Sequence, residues 1–130
     1  PFYNRLFGKI SRHFADLELV KAHQMDDAEM VIIAYGCTAR AAAAAVRIGR
    51  ERGLKVGLLQ LMSIWPFPRR QVEEALTGKR LALVPELNMG QISREVKRVN
   101  DGRTQVLRHG KMDGSMITPD EILGRLREAK

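Results

Sequence analysis

Three polar side chains follow one short apolar segment, at a spacing that suits a ligand site or a partner surface. Leu81–Val84 is an unbroken apolar run, which favours a strand buried on both faces of a parallel sheet. Glu86, Asn88 and Gln91 follow it around Gly90. In open α/β sheets the ends of such strands border the crevice where ligands and partners bind. These residue types also cap helices, and the pattern supports both interpretations equally.

Cys37 is a second candidate for chemistry. It comes just before an alanine-rich segment of helical pattern, and a helix N-terminus stabilises a thiolate. Cys37 is therefore a candidate reactive thiol, and the alternative is a small turn residue without a chemical role. Because it is the only cysteine, the chain can form neither an internal disulfide nor a thiolate metal site, which favours a reducing cytoplasm.

Other catalytic patterns are missing from the sequence. His13, His23 and His109 lie in separate segments without metal-ligand spacing. No G-x-S-x-G or phosphate-loop motif occurs, and the segment YGCTARAAAAA has only Gly36 where a dinucleotide fingerprint has three glycines. We therefore assign no catalytic, cofactor-binding or metal-ligating residue to this chain.

Trp65 is the only tryptophan and is followed by Pro66, Phe67 and Pro68. These residues form a stiff apolar segment between a predicted strand and a predicted helix. Such a segment belongs either to the core or to an interface, since tryptophan is enriched at interface hot spots. We predict that Trp65 and Pro66 serve in domain packing or at an interface.

Composition limits the partners. The 130 residues suffice for about one domain, and Pro1 is interpreted as a cut inside a longer protein. The net charge of +7 comes from basic residues that are scattered among carboxylates, and only 5% of residues are aromatic, which argues against nucleic acid. The longest apolar run, Met30–Tyr35, is too short for a membrane helix. We expect neither nucleic acid nor membrane as a partner.

Strands alternate with helices along the chain. The predicted strands are Met30–Ala34, Lys55–Leu61, Leu81–Val84, which ends at Pro85, and Thr104–Arg108 near a sheet edge. The predicted helices run from an N-cap at Thr38 to about Arg52, from Arg69 to Leu76, from Gln91 onward, and from Pro119 with Thr118 as N-cap and Glu121 closing a capping box. This order predicts an α/β three-layer sandwich with a mostly parallel central sheet.

We expect one domain with a short amino-terminal extension. Residues 1–26 are assigned to an N-terminal helix and linker, because Phe2, Leu6, Ile10 and Phe14 recur every four residues. Residues 27–130 are assigned to the α/β domain.

Several motifs occur together in one order. They are Tyr35–Gly36, the alanine-rich helix, Gly53, LLQLMSIWPFP at 58–68, VPELNMGQ at 84–91, KMDG at 111–114 and ITPDEI at 117–122. Across residues 2–130 this order resembles the carboxyl-terminal domain of the alpha subunit of 2-oxoacid:ferredoxin oxidoreductases. The central E-x-N-x-G-Q motif is similar to the 2-oxoglutarate type more than to the pyruvate type. Cys37 departs from the serine expected at its position.

The resemblance implies a transketolase carboxyl-terminal-like fold within a cytoplasmic thiamine diphosphate enzyme. That enzyme converts a 2-oxoacid to acyl-CoA and CO₂ and reduces ferredoxin. Its thiamine diphosphate, Mg²⁺ and iron–sulfur sites lie on other domains or subunits, and coenzyme A is a further requirement of the whole enzyme. This chain is then a non-catalytic assembly domain that contacts the rest of the alpha subunit and a beta subunit. The packing or interface residues are Trp65, Pro66, Glu86, Asn88, Gly90 and Gln91.

An alternative from another class is a free-standing flavodoxin-like module. It would hold a phosphate or nucleotide at helix N-termini near Thr38 and Gly90, where backbone N–H groups favour anions.

Overall fold

The computed structural model describes residues 20–65, 67–87, 90–100, 102, 104–111 and 115–129. The strands are β1 (Val20–His23), β2 (Met30–Tyr35), β3 (Val56–Leu61), β4 (Leu81–Glu86) and β5 (Gln105–Gly110). The helices are α1 (Thr38–Glu51), α2 (Arg69–Leu76), α3 (Gln91–Val99) and α4 (Pro119–Glu128). The predicted helical stripe from Phe2 to Phe14 lies outside the described residues.

The five strands form one sheet in the order β1-β3-β2-β4-β5. β2 pairs in parallel with β3 and β4, and β4 pairs in parallel with β5, while β1 is antiparallel to β3. The prediction of a mostly parallel sheet is confirmed. β1 lies inside the segment 1–26 that the sequence assigned to a helix and linker. Its four residues become a strand through pairing with β3, a tertiary contact that so short a pattern does not reveal.

Two helical layers cover the two faces of the sheet. Met30, Ile32 and Ala34 of β2 pack in a cluster with α1 and α4, whereas Val31 and Ile33 pack in a second cluster with α2 and α3. Neighbouring strand residues point to opposite faces, so a strand covered on both sides must be apolar throughout. This arrangement explains the unbroken apolar runs and confirms the three-layer sandwich.

β4 continues through Pro85 to Glu86, so the predicted end of this strand at Val84 was wrong. β2 pairs with β4 only as far as Leu83, and beyond that point β4 keeps β5 alone as a neighbour. A proline lacks a ladder donor and is therefore tolerated where a strand has an unpaired side. This extension carries Glu86 to the carboxyl edge of the sheet.

The two predicted N-caps have different outcomes. Thr38 is the first residue of α1 and Cys37 holds the N-cap position, because the Thr38 hydroxyl donates to Tyr35 O at 2.7 Å instead of capping the helix. Thr118 caps α4 as predicted, and its hydroxyl accepts from Glu121 N at 3.2 Å.

Candidate functional site

The predicted polar cluster lies at the carboxyl edge of the sheet, where β4 leads into α3. Glu86 ends β4 and is fully buried. Its carboxylate accepts hydrogen bonds from Ile92 N at 2.7 Å and Ser93 N at 3.1 Å, in the first turn of α3. Carboxylates are stabilised by helix N-termini through such bonds and through the helix dipole. Glu86 therefore satisfies two backbone N–H groups at the start of α3, as the capping interpretation predicts.

Gly90 makes this inward turn of the chain feasible. Its φ of +90° is a left-handed conformation that favours glycine. A Cβ atom on Gly90 would lie 2.7 Å from Arg108 Nε and 3.1 Å from Ser93 Oγ, so a side chain would also collide with its surroundings. Ser93 Oγ donates to Gly90 O at 2.9 Å and closes the turn. The requirement for glycine is both conformational and steric.

The hydrogen bonds between Glu86 and the start of α3 count against the flavodoxin-like alternative at Gly90. That alternative places a phosphate on the backbone N–H groups near Gly90, yet the N–H groups of Ile92 and Ser93 already donate to Glu86. An internal carboxylate thus takes the position that an external anion would need at α3.

Trp65 and Gln91 line an open cleft between the β3–α2 loop and α3. The cleft has a volume of about 620 Å³. Its lining residues, called here the Trp65 cleft, are Tyr35, Ile64, Trp65, Phe67, Arg69, Gln91, Ile92, Glu95 and Arg98. The predicted site residues Pro66 and Asn88 lie outside the described residues. Of the six predicted packing or interface residues, the structure thus brings Glu86, Gly90, Gln91 and Trp65 to the same edge of the sheet.

The cleft combines exposed apolar side chains with paired charges. Trp65 is 62% exposed, and it belongs to neither of the two core clusters. The two cleft arginines are each ion-paired on their own helix, Arg69 with Glu73 and Arg98 with Glu95. The surface around Trp65 is therefore apolar and locally close to neutral.

Cys37 lies at the N-cap position of α1 and is exposed. Its side chain makes no capping hydrogen bond. The reactivity expected of this exposed thiol stays a prediction.

A cluster that the sequence did not reveal joins β5 to α4. Glu121 Oε2 lies 3.1 Å from His109 Nε2, and Glu121 Oε1 accepts from Lys111 Nζ at 2.6 Å. The hydrogen bond from Lys111, followed by that from His109, holds the pKa of Glu121 below its usual value. The capping motif had marked Glu121 as a helix-start residue only, because the cross-chain contact depends on how β5 and α4 pack. These contacts hold the carboxyl end of β5 against the start of α4.

Within the described ranges, no group of three or more His, Cys, Asp and Glu side chains could hold a metal ion. In the same part of the chain, no helix has the length and apolar character needed to cross a membrane.

Residues 28–122 match the family described as pyruvate:ferredoxin oxidoreductase core domain II. The chain belongs to this family. The resemblance that the ordered motifs indicated is confirmed.

Relatives of this core domain II chain are subunits of 2-oxoacid oxidoreductases. It is 36% identical over 126 residues to the 2-oxoglutarate synthase subunit KorA of Methanothermobacter marburgensis, covering 97% of this chain and 34% of that protein. It is 40% identical over 118 residues to the KorA subunit of Methanocaldococcus jannaschii, covering 91% and 31%. The ketoisovalerate oxidoreductase subunit VorB of M. marburgensis is 34% identical over 106 residues, covering 82% and 30%. The chain spans about a third of the length of these curated relatives.

Solved structures share the fold of this core domain II chain. The 2-oxoglutarate:ferredoxin oxidoreductase from Magnetococcus marinus, with 2-oxoglutarate, coenzyme A and succinyl-CoA bound, superposes with a TM-score of 0.86 and 22% identity, covering 98% of this chain and 22% of that one. A split gene transketolase, described as an inactive beta4 tetramer, superposes with a TM-score of 0.71 and 16% identity, covering 84% and 41%. The predicted transketolase carboxyl-terminal-like fold is confirmed.

Proposed function

We propose that the chain is the non-catalytic assembly domain of a thiamine diphosphate-dependent 2-oxoacid:ferredoxin oxidoreductase subunit. The supporting observation is its match, over nearly its whole length, to about a third of the 2-oxoglutarate synthase subunit KorA. The site geometry agrees with this role, because the buried carboxylate of Glu86 is engaged by the backbone of α3 and the neighbouring exposed surface is apolar.

The proposed substrate of the whole enzyme is 2-oxoglutarate. Three KorA relatives are 36% to 40% identical over more than nine tenths of the chain, and a fourth is 29% identical over 93% of it. The pyruvate synthase subunit PorA of Thermotoga maritima is 33% identical over only 62% of the chain. The enzyme would form succinyl-CoA and CO₂ while reducing ferredoxin.

The remaining parts of the machinery are assigned elsewhere. Thiamine diphosphate, Mg²⁺, an iron–sulfur cluster and coenzyme A would be held by the rest of the alpha subunit and by a beta subunit, and ferredoxin would be the electron acceptor in the cytoplasm. We assign no cofactor-binding or catalytic role to the described residues of this chain.

The experiment is reconstitution of the full-length gene product with its partner subunits. We expect reduction of ferredoxin that depends on both 2-oxoglutarate and coenzyme A, slower turnover with pyruvate or 2-oxoisovalerate, and no activity from residues 1–130 alone. A preparation with complete cofactors that oxidises none of these acids would contradict the proposal, and a preference for pyruvate would overturn the substrate assignment.

The predicted contact residues divide into two roles. We propose Glu86 and Gly90 for packing within the domain, and Trp65, Pro66, Asn88 and Gln91 for contact with the rest of the enzyme. The variants Glu86→Ala and Asn88→Ala in the whole enzyme test this division. We expect a less stable domain from the first and weaker assembly from the second. If stability, assembly and turnover all stayed at the wild-type level, both roles would be wrong.

A further inference from the structure

Three of the four large apolar side chains that are exposed on the described part of the chain lie on the loop that borders the Trp65 cleft. Met62 is 48%, Ile64 45% and Trp65 62% exposed, and all three belong to one loop. Met116, 57% exposed, is the fourth such residue and precedes α4, which packs in the other helical layer. Scattered exposed apolar residues are normal, but a contiguous patch marks a contact site.

We infer that the Trp65 cleft docks an apolar, uncharged segment from the remaining two thirds of the same subunit. This inference rests on the proposed function. It adds the surface that is used, the chemistry of the segment that covers it, and the choice of the same polypeptide over a separate subunit.

The paired charges around the Trp65 cleft favour an uncharged occupant. The chain as a whole has a net charge of +7, which would favour an acidic partner. At the cleft, however, Arg69 is neutralised by Glu73 and Arg98 by Glu95. An acidic segment here would gain no unpaired cation and would lose hydration. An apolar segment can cover Trp65 and Ile64 while leaving both ion pairs at the solvent-exposed rim.

The small apolar area at the Trp65 cleft favours an occupant on the same polypeptide. The exposed 62% of Trp65 amounts to roughly 100–150 Å², since an aromatic side chain has about 150–250 Å², and Met62 and Ile64 expose smaller fractions of smaller side chains. Two separate proteins ordinarily need about 800 Å² per partner. A covalently tethered segment has an effective concentration in the mM range, so a smaller patch suffices. Relatives three times as long as this chain supply such a polypeptide.

The test is cysteine footprinting on the full-length product of the gene. Ile64→Cys probes the lining of the cleft and Met62→Cys probes the loop beside it (together the cleft probes), Met116→Cys is the matched exposed control, and all three carry Cys37→Ser. Iodoacetamide labelling is followed peptide by peptide by mass spectrometry in the 130-residue chain, in the full-length subunit alone and in the complete enzyme. We expect both cleft probes to label at least tenfold more slowly in the full-length subunit than in the 130-residue chain. The control should change less than twofold, and adding Trp65→Ala should restore cleft labelling about tenfold.

Two outcomes would overturn the inference. Cleft probes that label as fast as Met116→Cys in the chain, the subunit and the complete enzyme alike would show that nothing covers the surface. Protection that arises only when a second subunit is added would assign the cleft to that subunit. Turnover of 2-oxoacids is measured on the same preparations. An active enzyme with an unprotected cleft contradicts this inference alone, while an inactive one with complete cofactors contradicts the proposed function.

Discussion

Replacing Glu86 tests whether an internal carboxylate organises the carboxyl edge of the sheet. Glu86 has no exposed surface, and its two hydrogen-bond donors belong to Ile92 and Ser93, which are only 3% and 2% exposed. In Glu86→Ala both backbone N–H groups lose their acceptor in a site that water reaches poorly. In Glu86→Gln one oxygen remains, but an NH₂ group then faces a backbone donor.

The magnitude follows from these two bonds. A buried donor left without a partner costs about 1–3 kcal/mol, and loss of the negative charge at the start of α3 adds about 0.3–1 kcal/mol. We therefore expect Glu86→Ala to lower the free energy of unfolding by about 2–7 kcal/mol and Glu86→Gln by about 1–3 kcal/mol. For a domain of this size each kcal/mol shifts Tm by roughly 4 °C, so the alanine variant should melt about 8–28 °C lower.

The assay is urea unfolding of the chain followed by far-UV circular dichroism, with thermal melts in parallel. Glu74→Ala is the matched control, because Glu74 is an exposed helical glutamate in an i,i+4 pair with Arg70. Exposed pairs contribute less than about 1 kcal/mol, so this control should change stability little. Equal effects of Glu86→Ala and Glu74→Ala, within about 0.5 kcal/mol, would refute the capping argument.

Three further predictions concern other parts of the chain. Gly57→Ala should destabilise the domain by about 1–3 kcal/mol in urea melts, because its Cβ would lie 2.8 Å from the backbone oxygen of Gln24 and 2.6 Å from Met25 Sδ. Gly124→Ala meets open space and should match or exceed wild type, and a Gly57 variant as stable as that control would contradict the prediction. Glu121 has a lowered pKa in the folded state, so its stabilising effect is present above the ordinary value of 4.5 and is lost as pH falls. Glu121→Gln should therefore reduce the urea midpoint at pH 7 and converge with wild type in acid, and a constant gap at every pH would contradict this. Cys37 should react with iodoacetamide faster than glutathione at equal pH, and an equal rate would leave it an ordinary exposed thiol.

Local pattern was enough to predict elements whose apolar spacing and end signals agree. The observed bounds of α2, Arg69–Leu76, are the predicted ones, and Ile92, Val96 and Val99 of α3 are buried as their spacing indicated. β1 was missed because VKAH has no strong alternation and becomes a strand only by pairing with β3. Residues whose structure depends on a partner strand lie beyond what local pattern can predict.

The sequence predicted where the candidate site lies but left its role open. The sequence placed Glu86 at the end of a central strand, and the structure confirms that location. Whether its side chain faces a partner or the helix depends on the left-handed turn at Gly90, after which the first turn of α3 donates to Glu86. Trp65 shows the same limit, because its exposure is determined by the path of a loop and not by residue type.

Strand order explains why this edge of the sheet suits association. The chain leaves β2 toward β3 on one side and later leaves β4 toward β5 on the other, which opens a crevice at the carboxyl ends of β2 and β4. In ligand-binding folds of this design an anion often occupies the helix N-terminus at such a crevice. Here Glu86 supplies that negative group from within the chain, so the first turn of α3 is neutralised without a ligand. The surface that remains available beside it is the apolar Trp65 cleft, whose desolvation favours contact with another apolar surface. This combination agrees with the proposed role of a domain that stabilises a larger enzyme by packing against the rest of it.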